Sequence, residues 1–141
     1  MKKLFFIIIV VVALLLLFAL GSFLYLNFMP EKNINKAKVD HTLSADKLFT
    51  EFDNNEAQAN KKYMDRIIEV SGNIAEISKD QKGAMVVTLR NKDAFSGVLC
   101  TLQEDETKAL TNYKVNQPIK IRGVCTGMLM DVVLNKCVII E

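Results

Sequence analysis

The chain has 141 residues, half of them hydrophobic, with 18 Lys and Arg against 16 Asp and Glu and a formal net charge of +2. That excess sits at the N-terminus: with Lys2 and Lys3 set aside, 16 basic residues face 16 acidic ones, so the rest of the chain is formally neutral. A neutral remainder lacks the basic excess that nucleic-acid binders usually carry, and its roughly 110 residues suffice for one modest core.

After a three-residue tail, residues 4–30, "LFFIIIVVVALLLLFALGSFLYLNFMP", contain no charged side chain. A membrane span needs about 20 apolar residues as a helix. The run also outlasts the roughly 7–15 residues of a cleaved signal's apolar region. A transmembrane helix or signal anchor is therefore expected over 4–30. Tyr25 and Phe28 would lie at the interface and Pro30 would stop the helix. A lipoprotein signal would need a cysteine directly after the run, and the first cysteine is Cys100. Two lysines at the very start favour an N-terminus inside and a single-pass protein at the cell membrane, its soluble domain outside the cytoplasm in a periplasmic setting.

Residues 31–43 are polar with isolated Ile34, Ala37 and Val39, and predict a linker that lifts the domain off the membrane. His41, the only histidine, has no partner at ligand spacing and is expected at the surface. The domain is expected over 44–141. Ser44 is a plausible N-cap, and Leu48, Phe49 and Phe52 form an apolar stripe. Asp53 with Glu56 resembles a second helix start. One bent helix or two short ones are therefore expected over 44–64.

From Arg66 the period changes to two. Ile68, Val70, Gly72 and Ile74 share one face of a strand, with Gly72 marking a bulge or sharp coil. "AMVVTLRN" alternates again, with Met85, Val87 and Leu89 inward. "VLCTL" places Val98, Cys100 and Leu102 together. Residues 103–114 predict a short helix whose acidic start suits the helix dipole. A fourth strand follows Pro118, with Ile119, Ile121, Gly123 and Cys125 on one face. A fifth follows Met128, with a break possible at Asn135 and Lys136. Five strands with a helix between the third and fourth is the layout of the OB-fold, a small Greek-key barrel.

Three stretches then carry a family resemblance: "LSADKLFTEFDNNEAQANKKYMDRIIEVSGNI", "GVLCTL" and "IKIRGVCTGMLMDVVLNKCVI". Across Leu43 to Ile140 the chain resembles the bacterial OB-fold family called tRNA-anticodon-binding-like. The resemblance implies a small, membrane-anchored or exported protein. The family name reflects a shared fold and does not imply tRNA binding.

No residue set supports catalysis: there is no phosphate loop, no nucleophile elbow, and no close His–Cys pair. The chain is expected not to be an enzyme and to hold no cofactor or metal. Cys125, Met128, Met130 and Cys137 are soft ligand types for Cu(I), but methionine is also a common gap-filler in cores. In an oxidising compartment a disulfide is favoured. A hairpin centred near Asp131 would oppose Cys125 and Cys137, the preferred pair. Cys100 with either partner, or three buried thiols, stand as alternatives. Arg90, Lys92 and Phe95 cluster in the loop after the second strand and are the candidate ligand-face residues. The expected role is a membrane-anchored module that binds a protein or small ligand, or an envelope scaffold. Single-stranded nucleic-acid binding is the alternative, and the absence of aromatic residues from the second and third strands weighs against it.

Overall fold

The computed structural model describes residues 1–27 and 34–140. The chain divides into two compact units, Met1–Lys32 and Asn33–Glu141. The first contains helix α1 (Lys2–Asn27). Its segment Phe6–Tyr25 has 20 residues and a mean hydropathy of 3.2, with none of it buried within the protein. At about 1.5 Å per residue it is long and apolar enough to cross a membrane. Phe28 and Pro30, the expected interface ring and helix stop, lie outside the described residues.

The second unit contains strand β1 (His41–Ser44), helices α2 (Ala45–Asn54) and α3 (Glu56–Tyr63), and strands β2 (Ile67–Lys79), β3 (Met85–Leu89) and β4 (Val98–Leu102). A 3-10 turn (Glu104–Glu106) and a one-turn helix α4 (Thr107–Leu110) follow. Strands β5 (Pro118–Met128) and β6 (Val132–Ile139) complete it. Strand β2 pairs with β5 through Ile67–Asn73 and with β3 through Ile74–Lys79. From there β3, β4, β6 and β5 are joined in turn, with β4 and β6 parallel. The sheet thus closes into the expected five-stranded OB barrel, in which closure leaves few exposed edges.

The core follows the period-two pattern. Ile68, Val70, Ile74, Val87, Leu89, Val98, Ile121 and Leu134 are all fully buried. Ala45, Leu48 and Phe52 of α2 join them, which places the apolar stripe of the helix on the barrel. Tyr63 of α3 stacks on Phe52, with ring centroids 6.0 Å apart.

Several local expectations change. The linker predicted over 31–43 belongs, from Ile34 onward, to the folded domain. Ile34 is buried against Ile67 and Val138. Asp40 accepts a hydrogen bond from the Ile67 amide through its carboxylate (3.0 Å) and donates its own amide to the Ile67 carbonyl (2.8 Å). β1 then runs parallel to β2, His41 in register with Ile68. His41 is only half exposed and meets the Tyr63 ring edge-on at 5.0 Å. The pair of short helices forms, but Asn55 caps α3 by accepting from the Gln58 amide, not Asp53. The bulge in β2 falls between Ile74 and Glu76, not at Gly72. At Gly72 the backbones approach closely instead: a Cβ there would lie 3.2 Å from Ala45 Cβ and 3.3 Å from Leu89 Cβ. β6 runs unbroken through Asn135 and Lys136, absorbing an extra residue as a bulge with Lys136 at φ 53°. The helix predicted over 103–114 shrinks to the two short turns above.

Candidate functional site

The loop between β3 and β4 is held at both ends. The Arg90 amide donates to the Asn73 carbonyl (3.2 Å), and Arg90 Nη1 donates to the Phe95 carbonyl (3.0 Å). At its far end the Gly97 amide donates to Asp131 Oδ1 at 2.7 Å, tying the loop to the β5–β6 turn. Between these anchors, Asn91 Nδ2 donates to Asp46 Oδ2 of α2 at 2.7 Å. The segment before β5 is pinned likewise, with the Asn116 amide on the Ile74 carbonyl at 2.7 Å. Asn116 sits at φ 71°, a conformation that Asn tolerates better than most residues.

These anchors frame a cleft of about 690 Å³ lined by Asn73, Arg90, Asn91, Lys92, Asp93 and Asn116. A second cleft of about 430 Å³ shares Asn73, Arg90 and Asn91 and extends over Ser44, Asp46 and Lys120. The walls carry amides and charges beside the apolar surface of Ala94 in the first cleft and of Ala45, Pro118 and Ile119 in the second. Arg90, Lys92 and Lys120 share these walls with Asp46 and Asp93, and such donors suit a polar ligand with anionic character. Arg90 and Lys92 were legible as a pair in the sequence. Phe95 does not line either cleft and is fully exposed. Asn73, Asn116 and Lys120 gave no sequence signal, because they come from strand and loop positions far apart in the chain.

The outer face of β3 and β4 carries Val86, Thr88, Leu99 and Thr101, in cross-strand register. It holds no aromatic ring and no charge. Val86 and Thr88, which alternate with the inward Met85, Val87 and Leu89, are only 5% and 8% exposed. Leu129 and Met130 at the β5–β6 turn are 90% and 79% exposed.

The cysteines fall differently from the expected hairpin. The turn lies between Met128 and Val132, and the ladder slips at Arg122/Val124 and again at Cys125/Gly127. Leu134, not Cys137, therefore stands opposite Cys125. All three cysteines are buried thiols. Burial pushes the Cys125 thiol up, and burial followed by hydrogen-bond contact with Cys100 pushes the Cys137 thiol well above its ordinary range. Met128 packs on the core while Met130 is exposed, so the four soft residues do not share one enclosed site. Among the described residues no three His, Cys, Asp or Glu side chains group as a metal site.

The family model described as tRNA_anti-like matches residues 1–139. No curated protein matches the chain. Among solved structures, a "putative nucleic acid-binding lipoprotein" from Klebsiella pneumoniae subsp. pneumoniae MGH 78578 superposes with a TM-score of 0.62 at 17% identity, covering 79% of this chain and 100% of that one. The structure of yeast Stn1 and Ten1 gives a TM-score of 0.45 at 10% identity, over 82% of this chain and 69% of that one. The first likeness is one of fold.

Proposed function

Because the chain belongs to the tRNA_anti-like family, a family of binding-type OB domains, we propose that it is a membrane-anchored module that binds a small polar ligand, or a polar segment of a protein, in the cleft beside Arg90. The observation that carries this reading is the joining of two clefts through Asn73, Arg90 and Asn91. Their walls come from four separate parts of the chain and are fixed by the hydrogen bonds described above. Such convergence of a few polar groups is what a ligand site requires. α1 supplies the anchor, with the domain outside the cytoplasm. Reporter fusions after Glu141 test that orientation, and activity of a cytoplasmic reporter would overturn it.

The binding reading is tested by titrating the protein with short acidic peptides and small carboxylates and phosphates, following amide resonances. Shifts should concentrate at residues 90–94 and 116–120. The double variant Arg90→Ala/Lys92→Ala should weaken binding at least about tenfold, since charge-assisted hydrogen bonds contribute roughly 1.5–3 kcal/mol each. Shifts confined to another surface, or unchanged affinity in the variant, would overturn it.

One observation favours nucleic acid as a second reading. The exposed ring of Phe95 shares its loop with Arg90 and Lys92, a combination able to stack a base beside phosphate contacts. The Klebsiella protein is also described as nucleic acid-binding. Against this reading stands the uncharged, ring-free β3–β4 face, where OB domains usually hold oligonucleotides. Absence of salt-dependent retention on an oligonucleotide column at low salt would eliminate it.

A further inference from the structure

The β3–β4 loop and the β5–β6 turn meet at one end of the barrel. The Gly97 amide donates to Asp131 Oδ1 (2.7 Å) and the Val132 amide to the Gly97 carbonyl (3.0 Å). Turn tips are ordinarily occupied by Gly, Asn, Asp or Ser. Here they carry large apolar side chains: Phe95, Leu129 and Met130 are each at least 79% exposed. Met64 adds to this surface, with its Cε 3.5 Å from where a Cβ would stand on Gly127, just before the turn. Apolar residues scattered singly over a surface are ordinary, whereas several gathered at one end mark an interaction surface. Phe95, Leu129 and Met130 line neither polar cleft, so the ligand site does not account for them.

We propose that this end of the domain is a second membrane contact, at which Phe95, Leu129 and Met130 enter the interfacial layer of a lipid bilayer. The inference rests on the reading of α1 as the anchor. Chain length supports it. Six residues, 28–33, separate α1 from Ile34, and Ile34 is already packed against Ile67 and Val138, with Val124 alongside. Fully extended, such a segment spans at most about 25 Å. From Val124 the strand reaches Leu129 in about 17 Å. The connection is therefore long enough for the apolar end to rest on the lipid while α1 stays inserted. It also holds a domain about 30 Å across within roughly its own diameter of the bilayer. The bilayer is thus the apolar phase this end continually meets. Tethering turns docking into an intramolecular event at high effective concentration, so a few side chains suffice.

The chain contains no tryptophan, so a single introduced indole reports only its own surroundings. Full-length Phe95→Trp, Leu129→Trp and Gln81→Trp are each reconstituted in phosphatidylcholine vesicles, with and without bromine near the carbonyl end of the acyl chains. Gln81 is exposed between β2 and β3, at the opposite end of β3 from the Phe95 loop. Bromine should quench Phe95→Trp and Leu129→Trp at least about twofold, since interfacial rings sit at that depth, and leave Gln81→Trp unchanged. Adding Met130→Asp to Phe95→Trp should relieve most of the quenching. All these sites are exposed, so the substitutions should leave the fold intact. Equal quenching at the three positions, or none at Phe95 and Leu129, would overturn the contact. Unquenched emission that shifts to the blue with protein density would assign the surface to a second copy and overturn it likewise. Alkaline carbonate extraction separates this inference from its premise. A released chain would overturn the anchor and the contact together, whereas a retained chain without quenching would overturn the contact alone.

Discussion

Gly123 shows how a residue can be visible in the sequence for a reason that is not. It sits among the inward positions of β5, where an open side chain is expected. Its φ is not positive, so it does not serve a turn. Its hydrogen atom leaves room for Cys137 Sγ, and a Cβ would also come within 3.1 Å of the Asn135 carbonyl and 3.4 Å of Leu134 Cβ. Gly123→Ala should destabilise the domain by about 1–3 kcal/mol through overpacking. Urea denaturation should show a lower midpoint with an unchanged slope, and an unchanged midpoint would refute this role. Gly127 differs: at φ 109° it takes a backbone conformation that L side chains rarely adopt. The pattern of glycines and cysteines in this stretch was legible. The role of each was not, because a side-chain contact between β5 and β6 depends on bulges that leave no periodic trace. The same holds at the cleft, where Arg90 and Lys92 stand together in sequence but Asn116 and Lys120 arrive only through folding.

Among the elements, the segment from Ile34 to Ser44 departs most from what its composition predicts. Three isolated apolar residues do not make a helical or strand period, yet the segment packs and pairs. Arg122 holds it. Its Nη1 donates to the carbonyls of Asn35 (2.9 Å) and Ile34 (3.4 Å), while Nη2 contacts Glu69 Oε2 at 3.0 Å. The Arg122 and Glu69 side chains are 15% and 12% exposed. Removing one partner leaves the other largely buried, with Lys120 at 3.7 Å the remaining cation on Glu69. Arg122→Ala should cost about 2–4 kcal/mol, and amide exchange should accelerate first at 40–44. Exchange rising equally throughout the barrel would show that the arginine acts only on global stability. The helices were more legible, since Ser44, Leu48 and Phe52 declare a capped, one-sided helix by local spacing. The choice of Asn55 over Asp53 as the second cap rests on where the chain turns.

At the scale of the whole molecule, the helical pair reports on pH. Lys62 Nζ and Tyr63 Oη both donate to Glu51 Oε2 at 2.7 Å. These bonds, the lysine's first, hold the Glu51 carboxyl below its usual 4.5, and the same contact raises Lys62. A lowered carboxyl contributes stability above its unfolded value and loses it as pH falls through the folded value. The raised lysine contributes below its usual 10.5 and loses that contribution as pH rises through its folded value. Wild-type Tm should therefore fall below about pH 4.5 more steeply than that of Glu51→Gln, the difference between the two scans isolating this group from the other 15 side-chain carboxyls. Parallel scans would dismiss the link. Sequence by itself determined the apolar helix, the alternating strands, their order around one helix, and hence the closed barrel. All of these follow from hydrophobic periods confined to a few neighbouring residues. Only the tertiary structure decided that β1 joins the sheet, that two clefts meet at Arg90, and that Cys137 turns into the core. The physical reason is register: one extra residue in a strand inverts every side chain beyond it, and bulges are set by contacts between residues distant in the chain.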